Sequence, residues 1–339
     1  HRPVPRLSTI SRHRPTPPRS ISHHLLTKMN SSPFNPNSPL AESITLLFLV
    51  TLIIGGVVFL IVLAPTLYSY IRFRARPGDE EEPYQKLGDR RLEILWTVIP
   101  AIVLALLFGF TLVTMGRAMP PVPSDAQPDL IVTGHQWWWE VAYPTAAITT
   151  ANEIHIPTGK RLLVQIESAD VIHDFSVPQL ARKVDAVPGT TNYLWLQADT
   201  PGTFLGTCNE YCGVQHAWMR IRVIAQTPAD FAAWQQAQAQ IPTVPTTGPA
   251  AQGAQLFQTL TCANCHRIQG TAANARIGPD LTHLASRQTL AAGVLDNTPG
   301  GLLAWLSNPQ AIKPGVHMPN LKLSADEVES LTSYLESLK

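Results

Sequence analysis

Charge is scarce in this sequence. Only 14% of its 339 residues are Asp, Glu, Lys or Arg, against about 25% in a typical soluble chain. The 25 Lys+Arg and 24 Asp+Glu leave a formal net charge of +1, which argues against an electrostatic grip on nucleic acid. With 45% of residues hydrophobic, general disorder is excluded as well. Cysteine is scarcer still. Four are present, in two close pairs, Cys208/Cys212 and Cys262/Cys265. That is too few for a disulfide scaffold of this length, and tight pairing points instead to metal or cofactor sites. No internal repeat is evident.

The missing charge has a location. Residues 44–71 contain no charged side chain, and neither do residues 94–115. About 20 apolar residues cross a bilayer core, so both runs read as transmembrane helices (spans 44–70 and 94–115 within a hairpin at 29–116). Pro65 and Pro100 are tolerable where neighbouring helices satisfy the freed backbone groups. Between the spans lie Arg72, Arg74, Arg76, Lys86, Arg90 and Arg91, whereas only Arg117 closely follows the second span. Lys and Arg mark the cytoplasmic side. The loop is therefore cytoplasmic and the C-terminal part is exported. Residues 1–28 run against this pattern, with six basic residues, no acid and five prolines. They read as a basic extension outside the mature chain, with Met29 as the natural start and a net charge of −5 for the rest, the alternative being a flexible basic arm.

The exported part divides in two. Residues 117–235 show β-rich runs at 130–143, 147–156, 161–167, 193–197 and 219–224. Pro-Gly-type turns punctuate them, which suggests an all-β sandwich or barrel. This region carries 7 basic and 11 acidic residues. An uncharged Pro/Gln/Thr stretch at 236–249 reads as a linker. Residues 250–339 look helical at both ends. Ser324-Ala-Asp-Glu327 is a capping box, and Val328, Leu331, Leu335 and Leu338 share one helix face.

The sequence Cys208-Asn-Glu210-Tyr-Cys212-Gly-Val-Gln-His216-Ala-Trp-Met219 gathers two thiols, an imidazole and a thioether within twelve residues. Soft sulfur ligands with imidazole favour copper. One Cys would suit a blue-copper site, whereas two in one loop allow both sulfurs to bridge two metals. Each copper then needs a nitrogen and a weak axial ligand. His216 and Met219 supply one of each. The second His must come from His135, His155, His173, His266, His283 or His317. His173 sits at the end of an apolar strand, where a loop-facing ligand is plausible. A plain Cys208–Cys212 disulfide would leave His216 and Met219 unexplained.

This loop, the upstream Val171-Ile-His-Asp-Phe175, the run Gly134-His-Gln-Trp-Trp-Trp139 and Val184-Asp-Ala-Val-Pro-Gly189 resemble subunit II of haem–copper cytochrome c oxidases over roughly residues 40–226. The resemblance implies a cupredoxin domain with a binuclear copper centre, CuA. It implies that Cys208 and Cys212 bridge the metals, that His173 and His216 cap them, and that Met219 and the Glu210 carbonyl are weak ligands. It also implies a magnesium ion on the Glu210 side chain, shared with the catalytic subunit and suited to a hard oxygen ligand. Trp137, first of the three tryptophans, takes the role of electron entry, the alternative being plain packing. Glu93, at the cytoplasmic mouth of the second span, takes the entrance of a proton path in the partner subunit, the alternative being a solvated boundary acid. His135 and His155 match no ligand position and read as structural.

Cys262-Ala-Asn-Cys265-His266 is the C-x-x-C-H motif of covalent c-type haem attachment. The thiols bind the vinyl groups and His266 is one axial ligand. Met318 is the natural sixth ligand, with His317 its competitor. His/Met ligation raises the reduction potential and suits an electron carrier. The module resembles a class I cytochrome c.

Together these readings predict a multi-domain membrane protein: a two-helix hairpin, an all-β cupredoxin domain and an all-α cytochrome c domain. The resemblance is to subunit II of the caa3 type, in a bacterial inner membrane with the copper and haem domains outside. The expected task is to pass electrons from cytochrome c or a quinol–cytochrome c reductase through haem c and CuA to subunit I, beside subunit III, for oxygen reduction. Neither span holds a His, so the oxygen site must lie in subunit I. The CuA subunit of a nitric-oxide reductase is the nearest alternative. A copper-delivery or assembly protein is an alternative of a different class.

Overall fold

The computed structural model describes residues 32–74, 78, 84–85 and 88–339. The extension at 1–28 with Met29, and Arg76 and Lys86 between the spans, lie outside the described residues. Two long helices come first, α1 (Pro39–Arg72) and α2 (Arg90–Ala118). Ser38 caps α1 by accepting from the Ala41 amide at 3.0 Å, and Pro39 at the first helical position lacks only an amide that needs no partner there. Asp89 caps α2 through the Arg91 amide. Both helices present Leu, Ile, Val and Phe outward, among them Leu52, Ile53, Phe59, Leu104 and Phe108. A helix that is apolar all round and exposed is one that lipid must cover. The hydroxyls of Thr51, Thr66, Thr97 and Thr111 each donate to the carbonyl four residues back, which removes the cost of unpaired polar groups in hydrocarbon.

The start of α1 is fastened to the exported domain. Ser38 Oγ donates to the Leu180 carbonyl and the Asn37 amide to the Gln179 carbonyl, and Leu40 and Ala41 are buried. The chain leaving α2 returns to the same domain, where Trp195 Nε1 donates to the Pro120 carbonyl. The two outer helix ends therefore meet one domain, and the basic inter-span loop begins and ends at the opposite ends of the helices, as the charge pattern requires.

That domain is a sandwich of two five-stranded sheets. One sheet contains β1 (Leu130–His135), β2 (Trp138–Tyr143), β3 (Ile148–Ala151), β5 (Leu162–Ser168) and β8 (Asn192–Leu196), in the order β3-β2-β1-β5-β8. The other contains β4 (Glu153–Pro157), β6 (His173–Ser176), β7 (Val184–Ala186), β9 (Gly202–Cys208) and β10 (Arg220–Gln226), in the order β4-β10-β9-β6-β7. The β1–β5 and β4–β10 pairs are parallel and the other pairs antiparallel. Alternating inward residues such as Leu130, Val132, Val164, Ile166, Ile221 and Val223 fill the core between the sheets, as period-two side-chain alternation dictates. The run at 130–143 is a hairpin of two strands, and β6, β7 and β9 fall outside the runs singled out in the sequence.

One helix, α3 (Pro228–Gln238), follows β10 inside the stretch 117–235 expected to be all-β. Thr227 caps it through the Asp230 amide. Trp234 stacks on His155 with ring centroids 4.2 Å apart. Since α3 runs to Gln238 and α4 starts at Gly248, the irregular connection is 239–247 rather than 236–249. The C-terminal unit then contains α4 (Gly248–Thr259), the short strands β11 (Thr289–Leu290) and β12 (Leu295–Asp296), α5 (Pro299–Ser307), α6 (Pro309–Ile312) and α7 (Ala325–Glu336). Helices α4 and α7 cross at Gly253, where a Cβ would stand 2.0 Å from the Ser330 carbonyl oxygen. Only glycine permits that approach. The capping box at Ser324 and Glu327 is formed in both directions, and Val328, Leu331, Leu335 and Leu338 are all buried.

Candidate metal centre and haem site

The Cys208–Met219 loop joins β9 to β10. Its base is closed by the Cys208 amide donating to the Met219 carbonyl. A 3-10 turn at His216–Trp218 folds its second half back. Inside the loop the cysteines are free, with their sulfurs 3.8 Å apart. Two sulfurs each about 2.3 Å from one metal at a tetrahedral angle stand about 3.8 Å apart. A disulfide bond is about 2.05 Å long, so the spacing suits a shared metal.

The other donors fall around this pair. His216 Nδ1 is 3.6 Å from Cys212 Sγ, and Met219 Sδ is 3.8 Å from the same sulfur. His173 Nδ1, from the start of β6, is 4.0 Å from Cys208 Sγ. The Glu210 carbonyl oxygen lies 3.2 Å from Cys208 Sγ. The ligand atoms of His173, Cys208 and Cys212 all lie within 4.8 Å of one another, and all three residues are buried. The shared sulfur contact holds the Cys208 thiol down at about 3 and pushes Cys212 up. Thiolate sulfur is the form that binds a metal, and metal binding favours loss of the remaining proton.

His173 is oriented from behind. Its Nε2 lies 2.7 Å from Asp170 Oδ1, which leaves Nδ1 facing Cys208. Burial pushes the Asp170 carboxyl upward, but bonds from His173 and from the Gln136 and Val171 amides outweigh it and hold the group below the usual carboxylate range. A carboxylate behind a ligating imidazole fixes its tautomer and raises its basicity. Gly134 on β1 makes room for the ring, since a Cβ there would stand 2.7 Å from His173 Cδ2. Neither Asp170 nor Gly134 was assigned a role from sequence. Asp170, three residues before His173, was the available signal.

The structure places Trp137 beside the loop. Its Nε1 donates to the Cys212 carbonyl at 2.9 Å, and Gln136 Nε2 donates to the same oxygen at 2.7 Å. Trp139 is fully buried against Phe175 and His173, whereas Trp138 stacks on His135 with centroids 4.2 Å apart. His155 bonds Gln226 and stacks on Trp234. Both of these histidines are thus held by aromatic faces, not by the sulfur pair. The Glu210 side chain is exposed. Glu93 lies exposed in the first turn of α2.

In the C-terminal unit, Cys262 and Cys265 are free and half-buried on and beside a 3-10 turn at Thr261–Asn264. His266 follows. Its Nδ1 meets the Pro279 carbonyl at 2.8 Å, the bond that leaves Nε2 available to a metal. Burial pushes the His266 pKa down, which keeps the imidazole in the neutral form a ligand needs. Gly278 backs this ring as Gly134 backs His173, since a Cβ would lie 2.6 Å from His266 Cε1. Met318 and Cys262 both border the domain core. Gln310 fixes the Met318 loop by donating to the carbonyls of Val316 and Met318 and accepting from the Gly315 amide. These residues fit a covalently held haem.

Two lipid-covered helices, a β-sandwich with a two-sulfur metal loop and a small C-x-x-C-H domain define a membrane-anchored electron-transfer subunit. Family comparisons agree with that class. Residues 29–112 match the cytochrome c oxidase subunit II transmembrane domain, 145–226 its periplasmic domain and 250–339 cytochrome c. Cytochrome c oxidase subunit 2 of Alkalihalophilus pseudofirmus is 36% identical over 319 residues, covering 93% of this chain and 92% of that protein. The Bacillus subtilis subunit 2 is 33% identical over 291 residues, covering 80% and 82%. The crystal structure of the periplasmic domain of subunit II of cytochrome oxidase from Bradyrhizobium japonicum is 34% identical, covers 33% of this chain and 95% of that one, and has a TM-score of 0.32.

The chain belongs to the cytochrome c oxidase subunit II family, with a fused cytochrome c domain. It is a subunit of an oxidoreductase of the haem–copper type, set in the inner membrane by two helices with its soluble domains outside.

Proposed function

We propose that this chain takes electrons from a donor at its cytochrome c domain and delivers them through its copper loop to subunit I, where oxygen is reduced to water. The observation that carries this reading is the 3.8 Å spacing of two free sulfurs with one histidine beside each. Cys208, Cys212, His173, His216, Met219 and the Glu210 carbonyl would hold the copper centre. Cys262 and Cys265 would attach haem c, and His266 and Met318 would be its iron ligands. When bound, these groups supply one-electron transfer.

The chain's own residues supply rigidity. The closed loop base, the Asp170–His173 bond and the packed sandwich leave the donors little freedom to move, so little rearrangement accompanies a change of charge. Trp137 links the loop to the domain surface as electron entry. The exposed Glu210 carboxylate would hold magnesium at the junction with subunit I, and Glu93 would mark a proton entrance on the cytoplasmic side. Subunit III and a cytochrome c or quinol–cytochrome c reductase donor complete the assembly. The functional parts are a hairpin at 29–116, a copper domain at 117–235, a linker at 236–249 shortened by the end of α3, and a haem domain at 250–339.

Turnover of the purified complex tests the reading. Oxygen consumption with reduced cytochrome c is expected to far exceed nitric-oxide consumption, and the reverse would assign the complex to nitric-oxide reduction.

A further inference from the structure

The two exported domains meet through a pair of buried charges that the sequence did not single out. Lys313, at the end of α6 in the haem domain, is 2% exposed. Its Nζ donates to the Trp137 carbonyl at 3.1 Å, the Trp218 carbonyl at 3.0 Å and the Ala291 carbonyl at 3.2 Å. Two of those acceptors belong to the copper domain. The three carbonyls take all three protons of the ammonium, while burial, with Arg220 nearby, lowers its pKa to about 7. Glu153, on β4 of the copper domain, is also 2% exposed. It accepts from the amides of Gln288 and Thr289 and from the Thr289 hydroxyl in the haem domain. Each domain thus buries one charge in the backbone of the other.

Between the two charges lies a close contact. Ala292 packs with Trp138 and Ala151, and its carbonyl accepts from the Arg220 amide. Ala291 and Ala292 hold left-handed backbone, with φ of 55° and 61°. Such conformations persist in non-glycine residues where the surroundings over-determine them. Beyond Lys313, Gln215 donates to the Pro314 carbonyl. The His317 ring lies 4.7 Å from the Trp137 ring, and Met318 follows directly. Trp137 is only 6% exposed under this cover.

We propose that Lys313 is a positioning residue that fixes the Met318 loop of the haem domain on Trp137 of the copper domain, with Glu153 closing the other end of the same contact. The proposal rests on the site assignments above. Lys313 anchors the loop five residues before the proposed axial ligand, and Gln310 makes that loop stiff, so its anchorage sets where the ligand sits. The closed contact also covers Trp137 against any separate protein. In this state an external donor must deliver its electron to the haem domain.

The test uses the full chain in the purified oxidase, comparing the unaltered complex with Lys313→Met and Glu153→Ala. Optical bands of haem c and CuA come first, because their absence in the unaltered complex would overturn the site assignments rather than this proposal. With both bands intact, electron transfer from photoreduced haem c to copper is expected to be about tenfold or more slower in Lys313→Met, since the rate follows the closed fraction and a charged hydrogen-bonding group has been lost. The haem c potential should stay unchanged. In the unaltered complex, Lys313 should resist acetylation where the exposed Lys322 and Lys339 react, and Glu153→Ala should speed its modification. An unchanged transfer rate with both bands intact would overturn the proposal. Acetylation of Lys313 as fast as Lys322 in the unaltered complex would do the same, even if Lys313→Met fails to assemble.

Discussion

In the copper domain the donors of one site come from a single loop and one neighbouring strand, and they stand within bonding reach of a shared ion. The haem domain is built the other way. Its attachment cysteines and His266 form one short segment, and Met318 lies 52 residues further on in a separate loop. The difference follows from the ligand. A metal pair is small and one β-hairpin loop can enclose it. A haem is a large plate that needs one axial ligand from each side, and these must come from different parts of the chain. Both domains nonetheless solve one detail alike, with a glycine behind the imidazole proposed as a ligand, Gly134 for His173 and Gly278 for His266. In both, a Cβ would push the ring off its mark.

The sharpest way to break this comparison is to remove one ligand from each domain. Cys212→Ser is expected to abolish the binuclear copper bands entirely and leave the haem spectrum intact. Met318→Ala should remove the His/Met haem spectrum and leave the copper bands. Loss of both signals in a folded complex, for either variant, would mean that the two sites are not separate.

A smaller effect separates the two scaffolds. Gly253→Ala would force α4 and α7 apart at a 2.0 Å approach to backbone. Overpacking of this kind costs about 1–3 kcal/mol or more. Thermal unfolding followed at the haem bands should shift downward while the copper bands hold. Asp170→Asn weakens the support behind His173. Loss of such an outer partner lowers metal affinity about 10–100-fold, so copper should be stripped faster by chelator with haem c unaffected.

The smallest expected effect is at the capping box. Ser324→Ala should cost the haem domain about 1 kcal/mol, read as a lower melting temperature at pH 7. The Ser324 hydrogen bonds hold Glu327 below its ordinary value. A depressed carboxylate stabilises above its unfolded pKa, about 4.3, and that contribution fades as pH falls through the folded value. The gap between Ser324→Ala and the unaltered chain should therefore narrow in acid.

Much of this molecule was legible in its sequence because the signals are local. Uncharged runs mark the spans, twelve residues hold most of the proposed copper donors, and five residues carry the proposed haem attachment. The helices run longer than the uncharged stretches, since caps at Ser38 and Asp89 start each one ahead of its apolar run. What escaped was long-range. Strands β6, β7 and β9 are short and take their pairing from distant partners. Helix α3 has no periodic apolar face and is held by Trp234 on His155 and Tyr143. The uncharged stretch at 236–249 reads as a linker and says nothing of where the haem domain sits. The structure shows it docked, and the residues responsible, Lys313 and Glu153, look like ordinary surface charges until the fold buries them. Even the acidic character of the copper domain proved uneven, because Glu153 and Asp174 are buried. Burial, followed by the neighbouring Asp185, raises Asp174 to about 7.

The central claim is that two sulfurs in one loop bridge two coppers while a separate pair carries haem. Metal and haem analysis of the purified chain with its partner subunits removed, combined with CuA optical bands, tests it most directly. The account predicts two coppers for each haem c and mixed-valence bands that vanish in Cys212→Ser. One copper per haem c, or a Cys208–Cys212 disulfide in the peptide map of the freshly isolated protein, would contradict it.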